Sequence, residues 1–107
     1  DELAKIIIHN KVAGYNNQRA MDKIKSGQMP GPEMSMAKLA GTANMMRLGD
    51  FVSMVLGPKL SADSGEWGTF AWNQLILGTP GGRIAGGSDE VMRNIVAERT
   101  LGMPKDR

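Results

Sequence analysis

The strong helix breakers of this chain gather in three places, residues 27–32, 57–66 and 78–88, and the stretches between them keep a helical apolar period. That pattern predicts four helices and leaves no alternation that would support a strand. Over residues 1–26, Leu3, Ile6, Ile7, Val12, Tyr15 and Met21 recur roughly every three or four positions, and Ile8 widens their face. Asp1 and Glu2 suit the positive end of this helix's dipole, and Lys23 and Lys25 its negative end. Gly14 is an internal weak point, costing about 1 kcal/mol against alanine, and Ser26-Gly27 is the expected stop.

Residues 27–32, Gly-Gln-Met-Pro-Gly-Pro, read as a linker. Pro32 suits the first turn of a second helix, where its missing N–H is no loss, and Glu33 follows it. This helix is expected over 32–56, with a stripe of Met36, Leu39, Ala40, Ala43, Met46, Phe51, Met54 and Val55. Met45 and Leu48 broaden the stripe, which predicts cover on more than one side. Gly41 and Gly49 offer places for close helix contact. Gly57-Pro58 ends the helix, and 57–66 reads as a loop. A third helix over 66–78 carries Trp67, Phe70, Ala71, Leu75 and Ile76, with Trp72 off that stripe. Five glycines among residues 78–88 predict an irregular loop there. Ser88 is a good N-cap for a fourth helix running to about Leu101, with Asp89 and Glu90 in its first turn. Val91, Ile95 and Arg99 share one side of it, and Gly102 and Pro104 stop it. The expected fold is all-α, an antiparallel helix bundle forming one domain over residues 1–107.

Composition excludes several functions. With 107 residues and 41% hydrophobic content the chain can build a core. It has no cysteine and one histidine, His9, so thiol nucleophiles, disulfides and cysteine or histidine metal clusters are out. A reducing, cytoplasmic setting is the expected location. No apolar run reaches the ~18 residues of a membrane span, and no basic region opens the chain as in a signal peptide. The net charge of +2 comes from 13 Lys/Arg interspersed with 11 Asp/Glu, and only Lys105-Asp106-Arg107 is locally basic. With 5% aromatics there is no stacking platform either, so no nucleic-acid partner is expected. His9 sits among apolar neighbours and reads as structural. Glu33, Asp50, Asp63 and Glu66 have no spacing that pairs carboxylates for acid–base work. The nine methionines read as core or subunit interface.

Gly86-Gly87-Ser88-Asp89-Glu90 is the segment with chemical potential. Glycines running into a helix start offer free N–H donors and the positive dipole end, which suits a phosphate or pyrophosphate. It matches neither a Walker loop nor a strand-led dinucleotide fingerprint.

The run from Ile84 to Pro104, with Gly86-Gly87-Ser88-Asp89-Glu90-Val91-Met92-Arg93-Asn94-Ile95-Val96-Ala97-Glu98-Arg99 at its centre and Leu101-Gly102-Met103-Pro104 at its end, resembles the C-terminal signature of acyl-CoA dehydrogenases. Gly31-Pro32-Glu33-x-Ser35-x-Ala37-Lys38-Leu39 is a second match. The resemblance implies the later part of that family's C-terminal helix bundle, lacking most of the bundle's first helix. It implies FAD as cofactor and an acyl-CoA thioester as substrate, with an α-proton removed by a base and a hydride passed to the flavin. An electron-transfer flavoprotein or another acceptor, and homo- or hetero-oligomers built through the bundle, come with it. On that alignment Gly87, Ser88 and Glu90 stand where relatives touch the adenosine diphosphate half of FAD. The usual catalytic glutamate position is Gly86, so the chain read alone carries no base and is expected to be inactive by itself. The expected double glycine of a second cofactor loop is absent from 57–66. The alternative is a non-catalytic subunit or oligomerisation domain of a heteromeric dehydrogenase. An incomplete bundle exposes an apolar stripe, so self-association is expected, with Met36, Leu39, Met46, Phe51 or Met54 at the contact.

Overall fold

The computed structural model describes residues 1–61 and 63–105; Asp106 and Arg107 of the basic tail lie outside them. Four helices form: α1 (Glu2–Lys25), α2 (Glu33–Leu56), α3 (Thr69–Gly82) and α4 (Asp89–Thr100). No strand occurs among the described residues. The all-α architecture is therefore as expected. α2 is the central element. α1, α3 and α4 all pack on it, and α1 and α3 do not pack on each other. This explains the wide apolar surface of α2.

The radius of gyration is 16.9 Å and the principal extents are 50 × 34 × 25 Å. A compact chain of this length would have a radius of about 13 Å. The helices form an open layer around α2, and the core is correspondingly thin. Among described residues only Ile6, Ala20 and Val52 are buried hydrophobics.

α1 turns a different face inward than its bulk suggests. Ile6 and Ala20 are buried, and Ala13, Asn16 and Lys23 between and beside them are half-buried at spacings of three, four or seven. Leu3, Ile7, Ile8, Val12, Tyr15 and Met21 point outward, Tyr15 with 71% of its surface exposed. Small alanines let two long helices approach closely, so the narrow face docks on α2 and the bulky face is left uncovered. Asn44 of α2 donates to the Asn10 side chain across this seam. Lys23 and Glu33 pair across the 27–32 linker and tie the end of α1 to the start of α2. Gly49 is buried, and a Cβ there would stand 3.6 Å from Ile76 of α3, so it does mark a close contact. Gly41 has no neighbour that near.

The third helix departs from expectation at both ends. It begins at Thr69, after Gly68 in the left-handed conformation at φ +88°, and Trp67 lies outside it, fully exposed. Phe70 and Ala71 face outward, while Trp72, Leu75 and Ile76 are half-buried. At the other end the helix continues through Thr79-Pro80-Gly81-Gly82. The glycines and proline of 78–82 are thus helical, not loop. Pro80 cannot donate to the Ile76 carbonyl. The Thr79 hydroxyl donates to that carbonyl instead, at 2.9 Å, which satisfies the acceptor the proline leaves open. The expected loop at 57–66 opens with a 3₁₀ turn, Gly57–Leu60. No helix among the described residues is long and apolar enough to cross a membrane.

Candidate functional site

Because α3 runs to Gly82, the irregular connection shrinks to residues 83–88. Its backbone is bent by Gly86 at φ +69° and Gly87 at φ +105°, angles that side-chain-bearing residues rarely adopt. A Cβ on Gly86 would meet nothing within 4 Å; one on Gly87 would run into the Met92 Cε. Ser88 follows in extended conformation and caps α4, its hydroxyl accepting from the Val91 N–H at 3.4 Å. The N-cap expected from the sequence is in place.

Two cations brace this turn. The Lys38 Nζ, on α2, donates to the Gly87 carbonyl and to the Arg83 carbonyl at 3.4 Å. The Arg83 Nε donates to the Asp89 Oδ2 at 2.6 Å. Asp89 is buried, with 6% of its surface exposed. The Arg83 hydrogen bond holds its carboxyl below the ordinary value of 3.8, against the opposing effect of burial, and the charges of Arg83, Arg93 and Lys38 add to it. Glu90 is exposed and is also held low, first by its own backbone N–H and then by the Ser88 hydroxyl. A carboxylate held low by an ion pair is a poor proton acceptor at neutral pH. Asp89 is therefore a structural anchor of the turn.

The expected cofactor residues Gly87, Ser88 and Glu90 lie within four positions of one another at the start of α4, with the anchoring Asp89 between the last two. Ser88 and Glu90, with Met46, Pro80, Arg83, Ile84 and Asp89, line a groove of about 240 Å³. The start of the α4 dipole, the Ser88 hydroxyl and the Arg83 guanidinium meet there beside the Asp89 and Glu90 carboxylates, with Arg83 held by Asp89; the dipole and the guanidinium are the features that suit a diphosphate. No carboxylate stands at Gly86. Among the described residues no group of three or more His, Asp or Glu could hold a metal ion. A larger cleft of about 630 Å³ opens between α1 and α3 over α2, with Asn10, Asn44, Gln74 and Lys38 on its walls. Sequence reasoning placed Lys38 within a matching motif but assigned it no role. Arg83 was likewise unassigned. Both act through backbone carbonyls or a residue six positions on, contacts that carry no periodic signature.

The acid anchor has a measurable consequence. A carboxyl whose folded value is depressed contributes stability that is present above its unfolded value and lost as pH falls through the folded one. Asp89 and, through its hydrogen bond from Lys23, Glu33 both fall in this class. Thermal unfolding of the wild type is expected to weaken between about pH 5 and pH 2. Asp89→Asn is expected to start lower at neutral pH and to fall less steeply over that range. An identical acid slope in both proteins would remove Asp89 as the anchor.

An open all-helical layer ending in a glycine turn and a Ser-capped helix is the class of domain defined by fold and site. The model of the acyl-CoA dehydrogenase C-terminal domain matches residues 1–101, and the chain belongs to that family. It is 35% identical over 99 residues to the acyl-CoA dehydrogenase IpdE1 of Mycobacterium tuberculosis, covering 86% of this chain and 25% of the relative. The IpdE1 of Mycolicibacterium smegmatis is 35% identical over 80 residues, 74% of this chain and 20% of that protein. FadE34 of Mycobacterium tuberculosis, also an acyl-CoA dehydrogenase, is 26% identical over 108 residues, 98% of this chain and 14% of its own length. The chain thus spans a quarter or less of these relatives. No solved structure matches it significantly.

Proposed function

We propose that this domain is the C-terminal part of an FAD-dependent acyl-CoA dehydrogenase of the cytoplasm, and that its 83–90 turn holds the adenosine diphosphate half of the flavin. The family match over residues 1–101 carries this reading. The donor set at the start of α4 supports it chemically. Gly87 and Ser88 would offer backbone N–H groups, Ser88 its hydroxyl and Glu90 a hydrogen-bond acceptor. FAD, when bound, supplies the acceptor for the hydride taken from the acyl-CoA thioester. The α-proton needs a base from outside this chain, because Gly86 has no carboxylate and Asp89 is committed to Arg83. An electron-transfer flavoprotein or comparable acceptor would reoxidise the flavin.

The absence of a side chain at Gly86 also supports a second reading, a non-catalytic subunit that shapes a heteromeric dehydrogenase. The visible spectrum of the full-length protein, purified with whatever accompanies it, separates the two. A flavin spectrum that bleaches on adding an acyl-CoA supports the dehydrogenase. A colourless protein that neither holds nor takes up FAD removes Ser88 and Glu90 as cofactor contacts.

The uncovered faces favour an oligomer. Of the five residues expected at the contact, Met36, Leu39, Met46 and Phe51 are half-buried within the layer and Met54 is exposed. The larger uncovered surface is the Leu3, Ile7, Ile8, Val12, Tyr15 face of α1. The 107-residue chain is expected to scatter light as a dimer or larger. Ile8→Glu combined with Tyr15→Glu is expected to return it to the monomer mass. A monomer at high concentration before mutation would overturn this.

A further inference from the structure

The peptide joining Gly87 to Ser88 is held from one side. Lys38 reaches from the second turn of α2 and brackets the connection, donating to the carbonyl of Arg83 at the end of α3 and to the carbonyl of Gly87 just before α4. The first of these carbonyls lies at the negative end of the α3 dipole, which favours an ammonium there. Every described peptide is trans, and in a trans peptide the carbonyl and the next N–H point in opposite directions. Fixing the Gly87 carbonyl toward Lys38 therefore aims the Ser88 N–H away from the Lys38 Nζ. The same plane is constrained on its other flanks. A Cβ on Gly87 would meet the tip of the Met92 side chain, which would have to move. The Arg83–Asp89 pair fastens the end of α3 to the first residue of α4.

We propose that Lys38 is a positioning residue for the cofactor: by gripping the Gly87 carbonyl it sets the plane of the Gly87–Ser88 peptide and so aims the Ser88 N–H at a diphosphate oxygen. This rests on the reading of the 83–90 turn as the flavin diphosphate site. Lys38 itself need not touch the ligand. Its effect enters through one peptide, so it is felt by any ligand carrying the diphosphate. Arginine can replace both donors, while methionine keeps the aliphatic stem and removes them.

The test uses the full-length apoprotein in wild-type, Lys38→Met and Lys38→Arg forms. Each is titrated with FAD by flavin fluorescence, and with ADP as a competing probe. Losing a charge-assisted grip on the peptide is expected to weaken FAD by about tenfold or more in Lys38→Met. ADP should weaken by the same factor, and Lys38→Arg should stay within about threefold of wild type. Equal rescue by arginine of FAD and ADP binding separates positioning from a general loss of structure, and the melting temperature of each apoprotein is recorded alongside. Should Lys38→Met fail to fold, Lys38→Gln, with a shorter amide donor, is read in its place. Unchanged FAD and ADP affinity in the variant overturns the proposal while leaving the flavin site standing. A wild-type protein that binds neither ligand overturns the flavin reading, and the role of Lys38 with it.

Discussion

Ile6→Ala is expected to lower folding stability by about 2–4 kcal/mol, the range for truncating a buried isoleucine and leaving a partly collapsed cavity. Ile6 has 4% of its surface exposed and is the largest of three buried hydrophobics among the described residues. It is the main apolar anchor of α1 on α2, since Ala20, the other buried residue of that helix, carries one methyl group. A domain's total stability is about 5–15 kcal/mol, and a layer with so thin a core belongs at the low end. The variant is therefore expected to lose cooperative unfolding near room temperature, read by far-UV circular dichroism against urea. The same substitution at Ile7 or Ile8, which are half-exposed or more, should cost under about 1 kcal/mol. Equal losses at Ile6 and Ile8 would mean that α1 docks by its bulky face after all.

Gly87→Val is the second large effect. Its backbone stands at φ +105°, where a β-branched residue is strained by about 1–3 kcal/mol. The new Cβ would also meet the Met92 Cε, so that side chain must move. Gly86→Ala is the informative contrast. Its φ of +69° carries a strain of about 1 kcal/mol, but the space around it is open. The expected order of stability is wild type, then Gly86→Ala, then Gly87→Val, measured as denaturation midpoints of the three proteins. In the full-length protein Gly87→Val should also abolish FAD uptake, because the Ser88 peptide can no longer lie against Lys38. Retention of flavin in that variant would place the diphosphate elsewhere.

The unassigned base follows from the same geometry. Gly86 has room for a side chain but a glycine-favouring backbone, so the turn is built for the residue it has. Asp89, the nearest buried carboxylate, is withdrawn from proton chemistry by Arg83. The remaining candidate within the turn, Glu90, is exposed and held low by its own N–H and by Ser88. On the dehydrogenase reading proposed above, the base would come from another segment or another subunit.

Much of this protein was legible in the sequence. Four helices, their order, the Ser88 cap and the acidic first turn of α4 follow from local rules: apolar period, capping chemistry and glycine placement act within a few residues of themselves. The family signature from Ile84 to Pro104 is equally local. What lay beyond the sequence depends on distant partners. Whether Thr79-Pro80-Gly81-Gly82 stays helical turned on one hydroxyl replacing one missing donor and on packing against α2. Which face of α1 goes inward turned on how closely two helices can approach, which favoured the face of Ile6, Ala13 and Ala20 over that of Ile7, Ile8 and Tyr15. Lys38 meets the glycine turn across 49 residues of chain, and Asp89 became an anchor only because burial and Arg83 arrived together. Local preferences write the elements. The tertiary structure chose their faces and gave the turn its shape, because desolvation and long-range hydrogen bonds exist only once the helices have met.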